Sequence, residues 1–339
     1  MASNVPLRRL ELRIDVSGAL PHRPGVHEVA LTAWLPPAHR LGPAPLAIFA
    51  SPGGGYTRHY YDIQHPGLDG YSEAEHHASL GTIFIAYDHL GVGDSSTAAI
   101  ADYSVADLAA ANDAAVREVV ARLAEGRLTA GYPTLPHLTR IGIGQSMGGC
   151  VTIAMQGAHA TFDAIGVLGF SAVHTTLPQR NEADRVRAIA AHAEIGNRPL
   201  QQISVEESSR QVVDFVYPFH WEDVSPVLLD ADMAGGYPLR QTAPAWGSLT
   251  VPPCAVTMMT PGVVAMQAAA VQVPVFVALG ERDVSAEPHG EPGAFRASRD
   301  IELLVVPQMA HMHNFAGTRE LLWQRIQAFG ERVAVERLG

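Results

Sequence analysis

The sequence predicts an α/β fold, a mainly parallel central sheet flanked by helices on both faces. Three observations carry this. Short apolar runs recur along the chain: PLAIFA (45–50), GTIFIAYD (81–88), LTRIGIG (138–144), FDAIGVLG (162–169), VQVPVFVALG (271–280) and DIELLVVPQMA (300–310). Stretches of helical periodicity stand between several of them. Runs apolar throughout belong to strands buried on both faces, and helical crossovers make such strands parallel. Finally, glycine-rich stretches, SPGGGY (51–56) and GIGQSMGG (142–149), close two of the runs, and glycine lets a backbone turn tightly or approach another group closely.

Taken in order, LRRLELRIDVSG (7–18) and HEVALTAWLPP (27–37) alternate well enough to form an opening pair of strands. PLAIFA is the third strand and GTIFIAYD the fourth. The stretch that begins at Ser104 carries a capping pair, Ser104 and Asp107, then spaced apolar residues Leu108, Ala115, Val119 and Leu123 and a stop at Gly126, so it reads as a helix. LTRIGIG is the fifth strand and runs through a tight turn into a short helix, CVTIAMQGAHA (150–160). FDAIGVLGFSAV (162–173) is the sixth strand, and VQVPVFVALG and DIELLVVPQMA repeat the pattern. The C-terminal GTRELLWQRIQAFGERVAV places Leu322, Ile326, Phe329 and Val333 on one helical face.

The rhythm breaks between Val173 and Met258. NEADRVRAIAAHAEIG predicts a helix from Asn181 to a glycine stop at Gly196, and Ser204 with Glu207 forms a second capping box. Proline, glycine and aromatic residues then dominate. The expected organisation is a core of residues 1–173 and 259–339 interrupted by a helical insertion, 174–258.

Composition narrows the function. The net charge is −11 and the chain has no lysine, which argues against a nucleic-acid partner. Two cysteines, Cys150 and Cys254, make neither a disulfide framework nor a metal-ligand spacing. The 16 histidines are scattered; His311 with His313, and His76 with His77, come without a helical His-Glu-x-x-His pattern. No metal and no other cofactor is therefore expected. No apolar run approaches bilayer-spanning length, and MASNVPLRRLELRIDV lacks an apolar segment behind a basic patch, so the expectation is a cytoplasmic protein without a membrane partner. A homodimer would be unsurprising.

The chemistry sits in GIGQSMGG. Gly144-Gln145-Ser146-Met147-Gly148 is a G-x-S-x-G with an apolar strand before it and a helix after it, the strand–turn–helix setting of an exposed nucleophilic serine. A dinucleotide loop fails on spacing, because Gly142, Gly144 and Gly148 are one residue too wide, and no GK[ST] follows either glycine loop. A serine hydroxyl needs a base, and the base an orienting carboxylate. Asp283, in VFVALGERDVSAEP, falls just past the end of one strand and His311, in VVPQMAHMHNF, just past the next. Both would lie at the carboxyl edge of a parallel sheet, where open α/β sheets keep their sites.

These residues resemble the α/β-hydrolase superfamily: PGGGY after the third strand, YDHLGVGDS after the fourth, GQSMG at the turn, GERD before the acid and VVPQMAH before the histidine. The resemblance spans about residue 27 to the end, apart from the insertion, which falls after the sixth strand, where the family commonly carries a cap. It implies Ser146 as nucleophile, His311 as general base and then acid, and Asp283 as the group that holds the histidine tautomer. His313 is the rival for His311, favoured less because the four-residue step from Pro307 to His311 looks like the family pattern. Glu281 and Glu287 are weaker rivals for the acid. No carboxylate closely follows the sixth strand.

The same resemblance implies an oxyanion hole. Gly54, flanked by Gly53 and Gly55, would supply one backbone N–H and Met147 the other. Where the family often has His-Gly, this chain has Pro52-Gly53, which leaves an argument from backbone amides intact. DHLGVGDS reads as a structural turn, with Asp88 and Asp94 bonding backbone N–H groups. Tyr56, His59, Tyr60 and Tyr61 either border the pocket or pack the first helix.

In the insertion and just past its end, Phe215, Phe219, Trp221, Trp246, Met258, Met259 and Met266 suit an adaptable apolar pocket wall or, equally, a small core of the insertion's own. With Gly55 and Tyr56, the pocket reading makes Phe215, Phe219, Trp221, Trp246 and Met259 substrate contacts. The expected activity is a serine hydrolase that cleaves an apolar carboxylic ester or lactone through an acyl-enzyme. The same parts could cleave a carbon–carbon bond or an amide, or transfer the acyl group. A ligand-binding member of the fold without catalysis is the remaining alternative.

Overall fold

Eight strands form one sheet in the computed structural model, which describes residues 7–195, 198–210 and 212–338. They are β1 (Arg8–Asp15), β2 (Glu28–Leu35), β3 (Leu46–Ser51), β4 (Ile83–Tyr87), β5 (Thr139–Gln145), β6 (Ala164–Leu168), β7 (Val275–Arg282) and β8 (Ile301–Ala310), in the spatial order β1-β2-β4-β3-β5-β6-β7-β8. β1 pairs antiparallel with β2, and β2 antiparallel with β4; every pairing from β4 through β8 is parallel. The charged side chains of RRLELRID suit β1 to the sheet edge, where its residues are mostly exposed or half-buried. β3, β4 and β6 are buried at every position, as uninterrupted apolar runs require.

Side-chain alternation along the strands divides the interior into two cores. Ala47 and Phe49 of β3 enter one with helices α2 (Val105–Ala124) and α3 (Met147–His159); Leu46, Ile48 and Ala50 enter the other with α1 (Glu73–Ser79) and α10 (Arg319–Glu336). The apolar positions expected on the two long helices lie in these cores: Leu108, Ala115, Val119 and Leu123 in the first, Leu322, Ile326, Phe329 and Val333 in the second. Ser104 and Asp107 form the expected capping box at the start of α2.

Two of the boundaries that differ from the sequence reading bear on the site. α3 starts at Met147, not Cys150, because the chain turns at the single residue Ser146. β6 stops at Leu168, because Gly169 takes a left-handed φ of 57° and turns the chain out of the sheet. Asp88 receives the N–H groups of Arg58 (2.6 Å) and Asp94 (2.9 Å), whereas Asp94 uses its carboxylate on the Arg58 guanidinium (2.8 Å) rather than on backbone.

Among the described residues, the long connection from β6 to β7 adds no strand to the sheet. It carries α4 (Glu182–Ile195), α5 (Val205–Ser209), α6 (Val216–Phe219), α7 (Pro226–Met233), α8 (Cys254–Thr257) and α9 (Ala265–Ala270). The glycine stop expected at Gly196 lies outside the described residues. The Ser204–Glu207 capping box is present at the start of α5.

Candidate active site

The turn between β5 and α3 holds Ser146 at φ 53° and ψ −116°, a conformation that side chains rarely adopt. The neighbouring glycines make it sterically possible. A Cβ on Gly144 would collide with the Gly148 carbonyl, and one on Gly148 with the Ser51 carbonyl at the end of β3. Helix and strands approach so closely here that only glycine fits.

Three side chains from three loops then meet. Ser146 Oγ lies 2.9 Å from His311 Nε2, and His311 Nδ1 lies 2.7 Å from Asp283 Oδ1. Asp283 Oδ1 also accepts the Val284 N–H (2.8 Å), while Oδ2 accepts the Gly280 N–H (2.9 Å) and bonds His313 Nε2 (2.8 Å). Burial alone would push the Asp283 pKa up, but His311 and then His313 outweigh it and hold the carboxyl well below the ordinary range. His311 therefore contacts the serine, and His313 bonds the far oxygen of the acid. Glu281 is exposed and accepts the Gln308 N–H (2.9 Å), and Glu287 precedes a 3-10 turn at Pro288–Ala294.

His311 is held from behind as well. Its carbonyl accepts Gln145 Nε2–H (2.9 Å), and its N–H donates to the Pro218 carbonyl in α6 (3.1 Å). The Met312 N–H donates to the Phe219 carbonyl (2.8 Å), which brings the Phe219 ring to 5.0 Å from the imidazole. Arg282, stacked between Tyr217 (4.0 Å) and Trp221 (4.5 Å), donates to the His220 carbonyl (2.7 Å) and secures the end of α6.

The glycine loop lies across the serine turn. A Cβ on Gly53 would overlap Gln145 Oε1 and stand 3.2 Å from Ser146 Cβ; one on Gly54 would stand 3.9 Å from Met147 Sδ. Met147 is the first residue of α3, whose opening N–H groups have no partner within the helix. Each carbonyl of the loop is bound. Ser51 accepts from Tyr61 (2.8 Å), Pro52 from His89 (3.1 Å), Gly53 from the Tyr56 N–H (3.3 Å) and Gly54 from Tyr237 (3.2 Å). Gly55 accepts from the Ser248 N–H (2.9 Å) and from Arg240. His89 Nδ1 faces the Asn112 amide (3.0 Å), so Nε2 carries the proton donated to Pro52. Burial pushes the His89 pKa down to about 4, which keeps the ring neutral.

Several residues expected in a pocket wall lie elsewhere. Tyr56 is buried and donates to Asp232 Oδ2 (2.7 Å), and Trp246 Nε1 donates to Asp232 Oδ1 (2.9 Å), so both belong to the interior behind the glycine loop. Gly55, at φ 80°, faces Tyr237 on that same side. Trp221 lies under Arg282, and Met259 is 38% exposed with its sulfur 4.0 Å from Ser208 Oγ. Phe219 does lie against His311, and Phe215 meets Phe219 (5.4 Å) and Tyr237 (5.2 Å) edge to face. The sequence reading missed Asp232, near the end of α7, and Tyr237 and Arg240, which stand in the irregular Pro/Gly-rich stretch after it; none lies in a motif.

No family model matches the sequence, and no curated protein does. Solved structures do match across nearly the whole chain. A haloalkane dehalogenase loop variant from Bradyrhizobium elkanii aligns over 98% of this chain and 99% of its own, with TM-score 0.63 and 13% identity. A thermophilic esterase from Thermogutta terrifontis aligns over 96% and 99%, with TM-score 0.56 and 16% identity. The chain has the α/β-hydrolase fold. A proline iminopeptidase from Mycobacterium smegmatis shares this fold over 92% of the present chain and 97% of its own, with TM-score 0.57 and 16% identity. At such identities the likeness is one of fold, and the α/β-hydrolase fold hosts several bond cleavages. Among the described residues, no helix is long and apolar enough to cross a membrane.

Proposed function

We propose that the protein is a serine hydrolase that cleaves an apolar carboxylic ester or lactone through an acyl-enzyme. The observation that carries this reading is the unbroken chain of contacts from Ser146 through His311 to Asp283, at 2.9 and 2.7 Å. With Nδ1–H donated to Asp283, His311 presents the Nε2 lone pair to the serine hydroxyl. Ser146 Oγ attacks the carbonyl carbon as Nε2 takes its proton. Asp283 stabilises the resulting imidazolium, and the Gly54 and Met147 N–H groups receive the oxyanion. His311 returns the proton to the leaving alkoxide, and water then repeats the sequence and releases the acid. Phe219 beside His311, with Phe215 behind it, favours an apolar substrate, and residues 174–258 act as the cap over it.

The test is a fluorophosphonate label mapped by mass spectrometry, run beside p-nitrophenyl esters of increasing acyl length. An adduct on Ser146 with matching loss of turnover is expected. An adduct on another residue, or unaltered ester turnover after full labelling of Ser146, would overturn the reading.

A further inference from the structure

Three consecutive glycines form the loop that carries the Gly54 amide, and glycine gives a backbone its greatest conformational freedom. The peptide plane that bears this N–H is the one between Gly53 and Gly54. Among the described residues, its own carbonyl has only the 3.3 Å bond from the Tyr56 N–H. Its orientation therefore depends on the planes either side. His89 holds the plane before it through Pro52, and the planes after it are held by Tyr237, by Arg240 and by the Ser248 N–H (2.9 Å), residues more than 180 positions away in the β6–β7 connection.

The two side chains, Tyr237 and Arg240, are themselves fixed. The Arg240 side chain is fully buried, with its guanidinium 4.9 Å from the Tyr56 ring centre and 4.7 Å from that of Tyr237. Besides Gly55, it donates to the Asp232 carbonyl (3.0 Å) and to Asp232 Oδ1 (3.2 Å). Asp232 is buried as fully, and bonds Tyr56 Oη (2.7 Å), Trp246 Nε1 (2.9 Å) and His220 Nε2 (3.0 Å) as well. A buried ion pair adds little to stability, because desolvation offsets the attraction. What this one does is directional: it fixes a planar guanidinium against the carbonyl of Gly55, the residue after the proposed oxyanion donor.

We infer that Tyr237 and Arg240, backed by Asp232, are positioning residues that aim the Gly54 amide at the oxyanion, an inference that rests on the proposed hydrolase reading. The connection between β6 and β7 thus completes the catalytic loop as well as covering the substrate.

The experiment compares Tyr237→Phe, Arg240→Gln and Arg240→Lys with the unaltered protein. Tyr237→Phe removes one hydroxyl and exposes no buried charge, so it carries the test if Arg240→Gln does not fold. The readouts are kcat and KM for a p-nitrophenyl ester, Ki for a trifluoromethyl ketone, and amide hydrogen exchange across residues 51–62. Displacing a catalytic group by about 1 Å costs up to about 100-fold. The expected fall in kcat is therefore about 10-fold for Tyr237→Phe and about 100-fold for Arg240→Gln, with Arg240→Lys between them. KM stays within about threefold, Ki rises by the same factor as kcat falls, and exchange across 51–62 quickens. Unchanged exchange in folded variants would overturn the inference. So would faster exchange with kcat unaltered, or a rise in KM that accounts for the whole loss. Neither turnover nor a Ser146 adduct in the unaltered protein would instead remove the hydrolase reading, and this inference with it.

Discussion

Replacing His311 by alanine and His313 by leucine separates two histidines that share one carboxylate. His311 bridges Asp283 Oδ1 and Ser146 Oγ; His313 reaches only Asp283 Oδ2, at 2.8 Å. A hydrogen bond to a charged group contributes about 1.5–3 kcal/mol, equivalent to roughly one to two pKa units on Asp283. Asp283 is held well below the ordinary carboxylate range, and without His313 it keeps the Gly280, Val284 and His311 donors. An upward move of that size leaves it ionised at neutral pH. His313→Leu should therefore cost no more than about tenfold in kcat, whereas His311→Ala removes the base and should cost roughly 10⁴- to 10⁶-fold. Stability should respond above the unfolded carboxylate pKa and in the same order, because His311 depresses the Asp283 carboxyl more than His313 does. A carboxyl depressed by folding contributes stability above its unfolded pKa and loses it as pH falls through the folded one. His313→Leu raises the folded value and so shrinks that contribution. The assays are p-nitrophenyl ester turnover and urea unfolding at several pH values. An inactive but folded His313→Leu, beside an active His311→Ala, would refute the reasoning.

Other expectations are simpler to test. Ser146→Ala should abolish ester turnover and the fluorophosphonate adduct while the circular dichroism spectrum stays unaltered. Gly148→Ala should lower the urea-unfolding free energy by about 1–3 kcal/mol or more, because its methyl group would collide with the Ser51 carbonyl. Trp246→Phe removes one of the donors to buried Asp232, so it should lower stability by about 1–3 kcal/mol without altering preference among acyl lengths. Burial raises the Asp107 carboxyl, but the Ser104 N–H, Arg23, the Ser104 hydroxyl and His22 outweigh it and bring the pKa down to about 2. Its contribution is thus present above the unfolded carboxylate value and lost as pH falls towards 2, and acid titration of Asp107→Asn should lack that loss.

The inner strands of the sheet were legible because they are buried on both faces and so read as uninterrupted apolar runs, and the long helices because each carries one clear stripe. Ser146, Asp283 and His311 were legible because each stands just past a strand, where local pattern already indicates position. Sequence order could not decide between His311 and His313; the backbone between them turns one ring to Ser146 and the other to the far oxygen of Asp283. The pocket wall was poorly legible for a different reason. Aromatic residues such as Tyr56 and Trp246 suit a substrate wall and an interior equally, and the choice here depends on one buried carboxylate, Asp232, far away in sequence from Tyr56. Nothing near Asp232 or Arg240 marks them as buried, since charged residues are mostly found at the surface.

The bonds from the His311 and Met312 amides to α6 bear on how the molecule could be recombined. A graft that exchanged residues 174–258 as one block would remove the acceptors that hold the His311 backbone, together with the groups on the Gly54 and Gly55 carbonyls. Among the described residues, helices α4 and α5 make no such bonds to Ser146, His311, Asp283 or the glycine loop, and the described side chains of α4 are largely exposed. The block that can be exchanged without removing these bonds is therefore the outer pair of helices, while α6, α7 and the stretch through Ser248 stay with the sheet and its loops.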